Sequence, residues 1–291
     1  AGVAGALLLG GFGLAGCDVA APEALANILD MGWPDPVTPE GTQMYNFWVW
    51  TWLAAWIIGI TMWGLFIMAI VRWNRKARAK QGAGEFPKQL QYNVPLEILY
   101  TVVPMLMVGA LFYYTQDATT KLQDVSQEPD TTINIAAKQW SWDFNYVDDD
   151  VHEAGQMAEL DGNEGAEEKL PTLYLPVGER VEFVLTSRDV IHSFWVPAFL
   201  EKMDVNPGMV NRFQVTPNQT GTFQGKCAEL CGAYHSQMLF NVKVVERDEY
   251  DAHMQELEDK GQTGLLDNGL NREEILERDR DLLPEDDAAR T

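Results

Sequence analysis

Histidine and cysteine are scarce in this chain, with four of the first and three of the second in 291 residues. Any metal site must draw on these few, and an odd number of cysteines cannot all pair with one another. Basic residues are scarce as well, 21 Lys and Arg against 43 Asp and Glu, for a formal charge of −22. Such a balance repels nucleic acid and attracts cationic partners. Nearly all of the acidic excess lies beyond Asp117. The third lack is local: no charged residue occurs from Gly41 to Val71. The core of that stretch, residues 47–71, exceeds the roughly 20 residues a helix needs to cross a bilayer.

Trp48, Trp50 and Trp52 at one end of this stretch and Trp73 past the other match the aromatic belts of a membrane interface. A short loop follows with six positive charges (Arg72, Arg75, Lys76, Arg78, Lys80 and Lys88) against one negative, Glu85. The excess of positive charge places this loop in the cytoplasm. A second apolar run, residues 94–114, returns across the membrane. Pro95 suits its first turn, and Pro104 is a kink that neighbouring helices can satisfy. Residues 42–115 thus read as a two-helix hairpin with both outer ends on the extracytoplasmic side. Glu97 is the one ionisable residue of the second span, and an intramembrane carboxylate is a functional candidate. A place at headgroup level, one turn from water, is the alternative.

Residues 1–16 are apolar, small and shorter than a span, as in the h-region of an export signal. The basic region and initiator Met that should precede it are missing, so the expectation is a chain that begins inside a precursor. Leu14-Ala-Gly-Cys17 resembles the bacterial lipoprotein box, which makes Cys17 a lipidation candidate within an export segment, residues 1–17. Residues 18–41, with four prolines, read as extracytoplasmic linker with a short helical turn at Glu23–Leu29.

From residue 116 to 246 the periodicity becomes two, with strand-like runs at Thr131–Ala136, Gln139–Tyr146, Glu179–Leu185, Arg212–Thr216, Thr222–Lys226 and Met238–Val245. Gly and Pro punctuate them. Many short strands with turn signals argue a β-sandwich or barrel. Residues 147–170 form an acidic insert that reads as a long solvated loop, either simple surface or a docking face for a basic partner. The tail, residues 247–291, reads as charged helix, with candidates at Glu249–Lys260 and Asn271–Leu283 and no evident chemistry.

The densest chemistry lies in Lys226-Cys-Ala-Glu-Leu-Cys-Gly-Ala-Tyr-His-Ser-Gln-Met238. Cys227, Cys231, His235 and Met238 supply thiolate, imidazole and thioether, donors that suit copper better than hard cations. Two thiolates exceed what a blue-copper site uses, and two sulfurs bridging two coppers is the economical alternative. That arrangement needs a second histidine. His152 lies in the acidic insert and His253 in the charged tail, which leaves His192. A Cys227–Cys231 disulfide would leave His235 and Met238 unexplained, and Met238 is a poor ligand for zinc.

Cys-x-Glu-x-Cys-x-x-x-His-x-x-Met resembles the copper signature of subunit II of haem–copper cytochrome c oxidases, and the likeness covers roughly residues 42–246. The resemblance implies a membrane α plus all-β fold: the two-helix transmembrane hairpin followed by a cupredoxin-like Greek-key β-barrel, with the copper loop between its last two strands. It implies a dinuclear copper centre (CuA) bridged by Cys227 and Cys231. His192 and His235 would be terminal ligands, with Met238 and the backbone carbonyl of Glu229 as weak axial ones. The Glu229 side chain would reach a magnesium ion shared with subunit I, and haem a and CuB would lie only in that partner. Trp140, in Gln139-Trp-Ser-Trp142, would receive electrons from a c-type cytochrome. Ser141 stands where the family usually has Tyr. Asp189 would help dock the donor, and Glu97, in Asn93-Val-Pro-Leu-Glu97, would stand where protons are taken up. The implied partners are subunits I and III and the donor, which in actinobacterial relatives is often a dihaem cytochrome c of a bc complex. The implied location is the bacterial plasma membrane, in contact with lipid, with the copper domain and N-terminus outside.

Three rivals are distinguishable. A quinol oxidase subunit would lack the cysteine pair. A copper chaperone or storage lipoprotein has no use for the hairpin, Glu97 or Trp140. Nitrous oxide reductase needs a further large catalytic domain.

Overall fold

The structure, a computed structural model, describes residues 20–80, 82, 91–159 and 169–270. The export run with Cys17, the Glu85 and Lys88 positions, the middle of the acidic insert and the second tail helix lie outside the described residues. The chain forms two compact units, one of residues up to Gly32 plus Gln43–Thr119, the other of Trp33–Thr42 plus everything from Thr120.

In the first unit, α1 (Glu23–Leu29) packs on α2 (Pro39–Arg72). Ala26 and Leu29 are buried against Val49, Trp48 Nε1 donates to the Asp30 carbonyl at 3.1 Å, and Ala21 N donates to Asn46 Oδ1 at 3.0 Å. α3 (Arg75–Lys80) is a short basic helix, and α4 is Val94–Leu122. The 34 residues of α2 and the 29 of α4 are long and apolar enough to cross a membrane. Their surfaces show why water is the wrong solvent: Ile60, Trp63, Phe66, Ile98, Met105 and Phe112 are all exposed.

Both helices overrun the expected spans. α2 starts at Pro39 rather than near Phe47, because Thr38 Oγ1 accepts from Gly41 N at 2.9 Å and Pro occupies the first helical position. α4 continues to Leu122 through a polar segment with no Gly or Pro to stop it. At its start, Asn93 Oδ1 accepts from Leu96 N (3.3 Å), and Glu97 Oε1 accepts from Asn93 N (2.9 Å). Glu97 therefore serves as a helix cap, which is a structural role in its own right.

The second unit is a two-sheet β-sandwich. One sheet has the order β3-β2-β1-β5-β8 and the other β4-β10-β9-β6-β7. The strands are β1 (Thr131–Lys138), β2 (Ser141–Tyr146), β3 (Val151–Glu153), β4 (Thr172–Pro176), β5 (Val181–Ser187), β6 (His192–Val196), β7 (Glu201–Val205), β8 (Asn211–Val215), β9 (Gly221–Cys227) and β10 (Leu239–Val245). β1 pairs parallel with β5, and β10 parallel with β4; the other pairings are antiparallel. Between the sheets lies an aromatic core. Phe194 stacks on Phe240 with centroids 5.0 Å apart, and Trp142 meets both edge-on at 5.7 and 5.5 Å. Each such buried ring contributes roughly 1.5–3 kcal/mol. Gly225 makes the packing possible, since a Cβ there would lie 2.1 Å from the Phe240 ring.

Four strands were not expected from the sequence: β3, β4, β6 and β7. β3 corrects the reading of a solvated loop for the first part of the acidic insert, residues 147–159, because Val151 and Ala158 are buried. Six of six β2 positions are buried, so its polar residues do not face water. Asp143 accepts from Gly155 N at 2.9 Å, and Asn145 bonds to the backbone of Leu266. α5 (Arg247–Asp259) buries Tyr250, Met254 and Leu257 on one face.

Candidate metal centre

The centre is built from β6, the end of β9 and the loop that follows. β6 pairs with β9 so that Phe194 opposes Cys227, which brings His192 at the start of β6 beside the end of β9. The loop is closed at its base. Cys227 N donates to the Met238 carbonyl at 3.0 Å, Met238 N to the His235 carbonyl at 3.2 Å, and Ala228 N to the Ser193 carbonyl at 3.0 Å. A short 3-10 turn, His235–Gln237, carries His235 back toward the sulfurs.

The donor atoms converge. Cys227 Sγ lies 3.8 Å from His192 Nδ1, 3.9 Å from Cys231 Sγ and 3.2 Å from the Glu229 carbonyl oxygen. Cys231 Sγ lies 3.6 Å from His235 Nδ1 and 3.8 Å from Met238 Sδ. Ligand atoms of His192, Cys227 and Cys231 all fall within 4.8 Å of one another, and all three residues are buried. Both thiols are free. Their separation is far beyond the roughly 2.05 Å of a disulfide.

The protonation chemistry fits a cation. Burial pushes the Cys227 thiol up, but the His192 imidazole and backbone amides outweigh it and hold it at about 7. Burial and the neighbouring Cys227 charge push Cys231 up to about 12. Without added positive charge, the second thiol therefore resists ionisation. A bound cation removes that obstacle, and ligating thiols are deprotonated. Two soft sulfurs, two imidazoles and a fully buried thioether, Met238, match copper and exclude magnesium or calcium as the ion between them.

His192 is oriented from behind. Its Nε2 bonds to Asp189 Oδ1 at 2.8 Å, which leaves Nδ1 facing the sulfur. Burial disfavours the charged ring, yet Cys227 and Asp189 together raise its pKa. The Asp189 carboxyl is opposed by burial but stays below its usual range through bonds from His192, Gln139 N (2.6 Å) and Val190 N (2.7 Å). The resemblance offered Asp189 as a docking residue close to the metal site; in the structure its carboxylate is partly exposed and holds His192 and two backbone amides.

Trp140 lies against the loop. Its ring meets Tyr234 edge-on at 4.8 Å, and a Cβ on Gly232 would come 3.1 Å from Trp140 Nε1. Gln139 Nε2 donates to the Cys231 carbonyl at 2.7 Å. Gln139, Gly232 and Tyr234 were missed as site residues, although all three stand inside the quoted motifs. The Glu229 side chain is exposed, as are Leu230 and Tyr234 at the loop's rim.

A family model described as cytochrome c oxidase subunit II, periplasmic domain, matches residues 131–245. A probable cytochrome c oxidase subunit 2 from Streptomyces avermitilis is 45% identical, over 82% of this chain and 83% of its own. The chain belongs to the cytochrome c oxidase subunit II family. Cytochrome c oxidase subunit 2 of Corynebacterium glutamicum is 42% identical, over 84% of this chain and 81% of its own. The crystal structure of the periplasmic domain of cytochrome oxidase subunit II from Bradyrhizobium japonicum is 32% identical, covering 46% of this chain and 97% of that one, with a TM-score of 0.43. Family membership makes this chain a subunit of a respiratory oxidase: a membrane protein whose β-domain carries a His/Cys/Cys group suited to copper.

Proposed function

We propose that this chain is the electron-accepting subunit of the oxidase, taking electrons from a c-type cytochrome at a dinuclear copper centre and passing them toward haem a of subunit I. The observation that carries this reading is the donor set: two free thiols 3.9 Å apart, each with its own imidazole, His192 at 3.8 Å from Cys227 and His235 at 3.6 Å from Cys231. When bound, a copper pair supplies a one-electron carrier whose charge is spread over both ions and both sulfurs.

The protein's own residues provide the rest. Cys227 and Cys231 would hold the pair as thiolates, His192 and His235 would each add an imidazole, and Met238 and the Glu229 carbonyl would complete the donor set. The closed base of the loop keeps these donors in place in either oxidation state. Burial of Cys227, Cys231 and Met238 keeps water out. Trp140, packed on Gly232 beside Cys231, offers an aromatic contact between the donor and the loop. The exposed Glu229 carboxylate is available to a magnesium ion shared with subunit I. Glu97, at the cytoplasmic start of α4, is available to a proton path in that subunit. Subunits I and III, a dihaem donor, a plasma-membrane location with the copper domain and N-terminus outside, and a lipid on Cys17 complete the reading.

The test is copper stoichiometry of the full chain, purified in detergent and reconstituted with copper. Two coppers per chain, reduced by Cys227→Ser, support the proposal; one copper unaffected by that substitution would overturn it.

A further inference from the structure

The tail that follows α5 does more than cover the sandwich. Residues 262–270 run as a strap over the first sheet. His152 N donates to the Gln262 carbonyl at 2.9 Å, Gly264 N to the Asp150 carbonyl at 2.8 Å, and His152 Nδ1 lies 2.8 Å from the Gly264 carbonyl oxygen. Asn145 then holds the strap from both sides. Its Oδ1 accepts from Leu266 N at 2.9 Å, and its Nδ2 donates to the Leu266 carbonyl at 3.2 Å and to Asn134 Oδ1 at 2.9 Å. Asn134 in turn donates to the Val184 carbonyl and to Thr186 Oγ1. Beyond this, Leu270 is buried with Val184.

The strap ends on the turn that carries Asp189. Asp267 Oδ2 pairs with Arg188 Nη2 at 3.2 Å, and its Oδ1 accepts from Gly269 N at 2.8 Å. Gly269, at φ +80°, lies so close to the turn that a Cβ would come 2.6 Å from the Ser187 carbonyl oxygen and 3.1 Å from Arg188 Cα. Arg188 also reaches the buried Asp143 at 3.5 Å, which Lys138 neutralises at 2.6 Å. The next residue, Asp189, holds His192 Nε2, Gln139 N and Val190 N. One corner, Ser187–Val190, is therefore gripped by the strap on one side and aims a metal-site histidine and the Trp140 turn on the other.

We infer that the strap is a positioning element for the copper centre, acting through Asp267, Gly269 and Arg188 on Asp189. It rests on the copper reading above, but the contact itself is independent of any metal. Asp267 and Gly269 touch no ligand; they fix the backbone from which His192 and Gln139 are held. The feature matters because a buried histidine of fixed orientation is the part of the site that comes from outside the copper loop.

The test is amide hydrogen exchange on the metal-free full chain in detergent, followed by copper retention against a chelator. Asp267→Asn, Asp267→Glu and a chain ending at Gly261 are compared, with Ile133→Val as a control that weakens the core and leaves the corner alone. The expected result is exchange at Gln139 and Val190 about tenfold faster in Asp267→Asn and in the shortened chain, unchanged in the control and restored in Asp267→Glu. Copper retention should fall about tenfold in the same two variants, the low end for residues that orient a ligand. If the shortened chain does not fold, Asp267→Asn decides. Wild-type exchange at Gln139 and Val190 in Asp267→Asn overturns the inference. Failure of the wild-type chain to take up copper would instead count against the metal reading and leave the exchange result standing.

Discussion

Asp189→Asn isolates the orienting role of one carboxylate. In the native site, three donors converge on Asp189: His192 Nε2 at 2.8 Å, Gln139 N at 2.6 Å and Val190 N at 2.7 Å. Asparagine keeps the shape but offers one oxygen and an NH2 group, so at least one donor faces another donor. The imidazole then loses the partner that keeps its proton on Nε2 and its Nδ1 lone pair toward Cys227. Outer partners of this kind cost about 10–100-fold in metal affinity. At about 1.36 kcal/mol per tenfold, that is about 1.4–2.7 kcal/mol, in line with the loss of one charge-assisted hydrogen bond. The carboxylate is 29% exposed, which places the expectation at the lower end. The assay is copper competition with a chelator on the detergent-purified full chain, paired with urea denaturation of the metal-free form. Affinity within twofold of wild type, in a variant that folds normally, would refute the claim that Asp189 holds His192 for the metal.

Gly225→Ala places a methyl 2.1 Å from a Phe240 ring already stacked on Phe194; a loss of roughly 1–3 kcal/mol or more is expected from overpacking, read as a lower urea midpoint, and an unchanged midpoint would count against the packing argument. Burial raises the Glu201 carboxyl to about 7. The folded state thus prefers the protonated form, and its stabilising contribution is present below about pH 4.5 and lost as pH rises through 7. Glu201→Gln should flatten the change in denaturation midpoint between pH 5 and pH 8, and a profile identical to wild type would remove Glu201 as its source. Trp140→Phe should slow reduction by a c-type cytochrome in stopped-flow measurements while leaving copper content unchanged; equal rates would show that electrons come in elsewhere.

The copper loop was legible because its donors sit within a dozen residues and leave the backbone little choice. The spans were legible from absence of charge, although not their ends. Thr38 capping and the Gly-free, Pro-free segment after residue 114 extend both helices, and these are local signals that hydropathy ignores. What stayed hidden depends on distant partners. β2 alternates aromatic with polar residues, and nothing local in that pattern shows that Asn145 is covered by Leu266, 121 residues further on. Val151 looked like part of a solvated acidic loop, yet pairs with β2 on one side and with Thr263 on the other. His192 was reached by elimination among four histidines, whereas its strand and its Asp189 partner emerge only from the β6–β9 pairing. The tail showed no chemistry in its composition because its contribution is made by backbone groups and a single carboxylate.

The central claim is that two thiolates and two imidazoles hold a pair of coppers that share one electron. Electron paramagnetic resonance of the copper-loaded full chain tests it most directly. The account predicts a hyperfine pattern from one unpaired electron divided equally between two copper nuclei, in a purple protein, and its loss in Cys231→Ser. The simpler pattern of a single copper nucleus, or a colourless form with no sulfur-derived absorption, would contradict it.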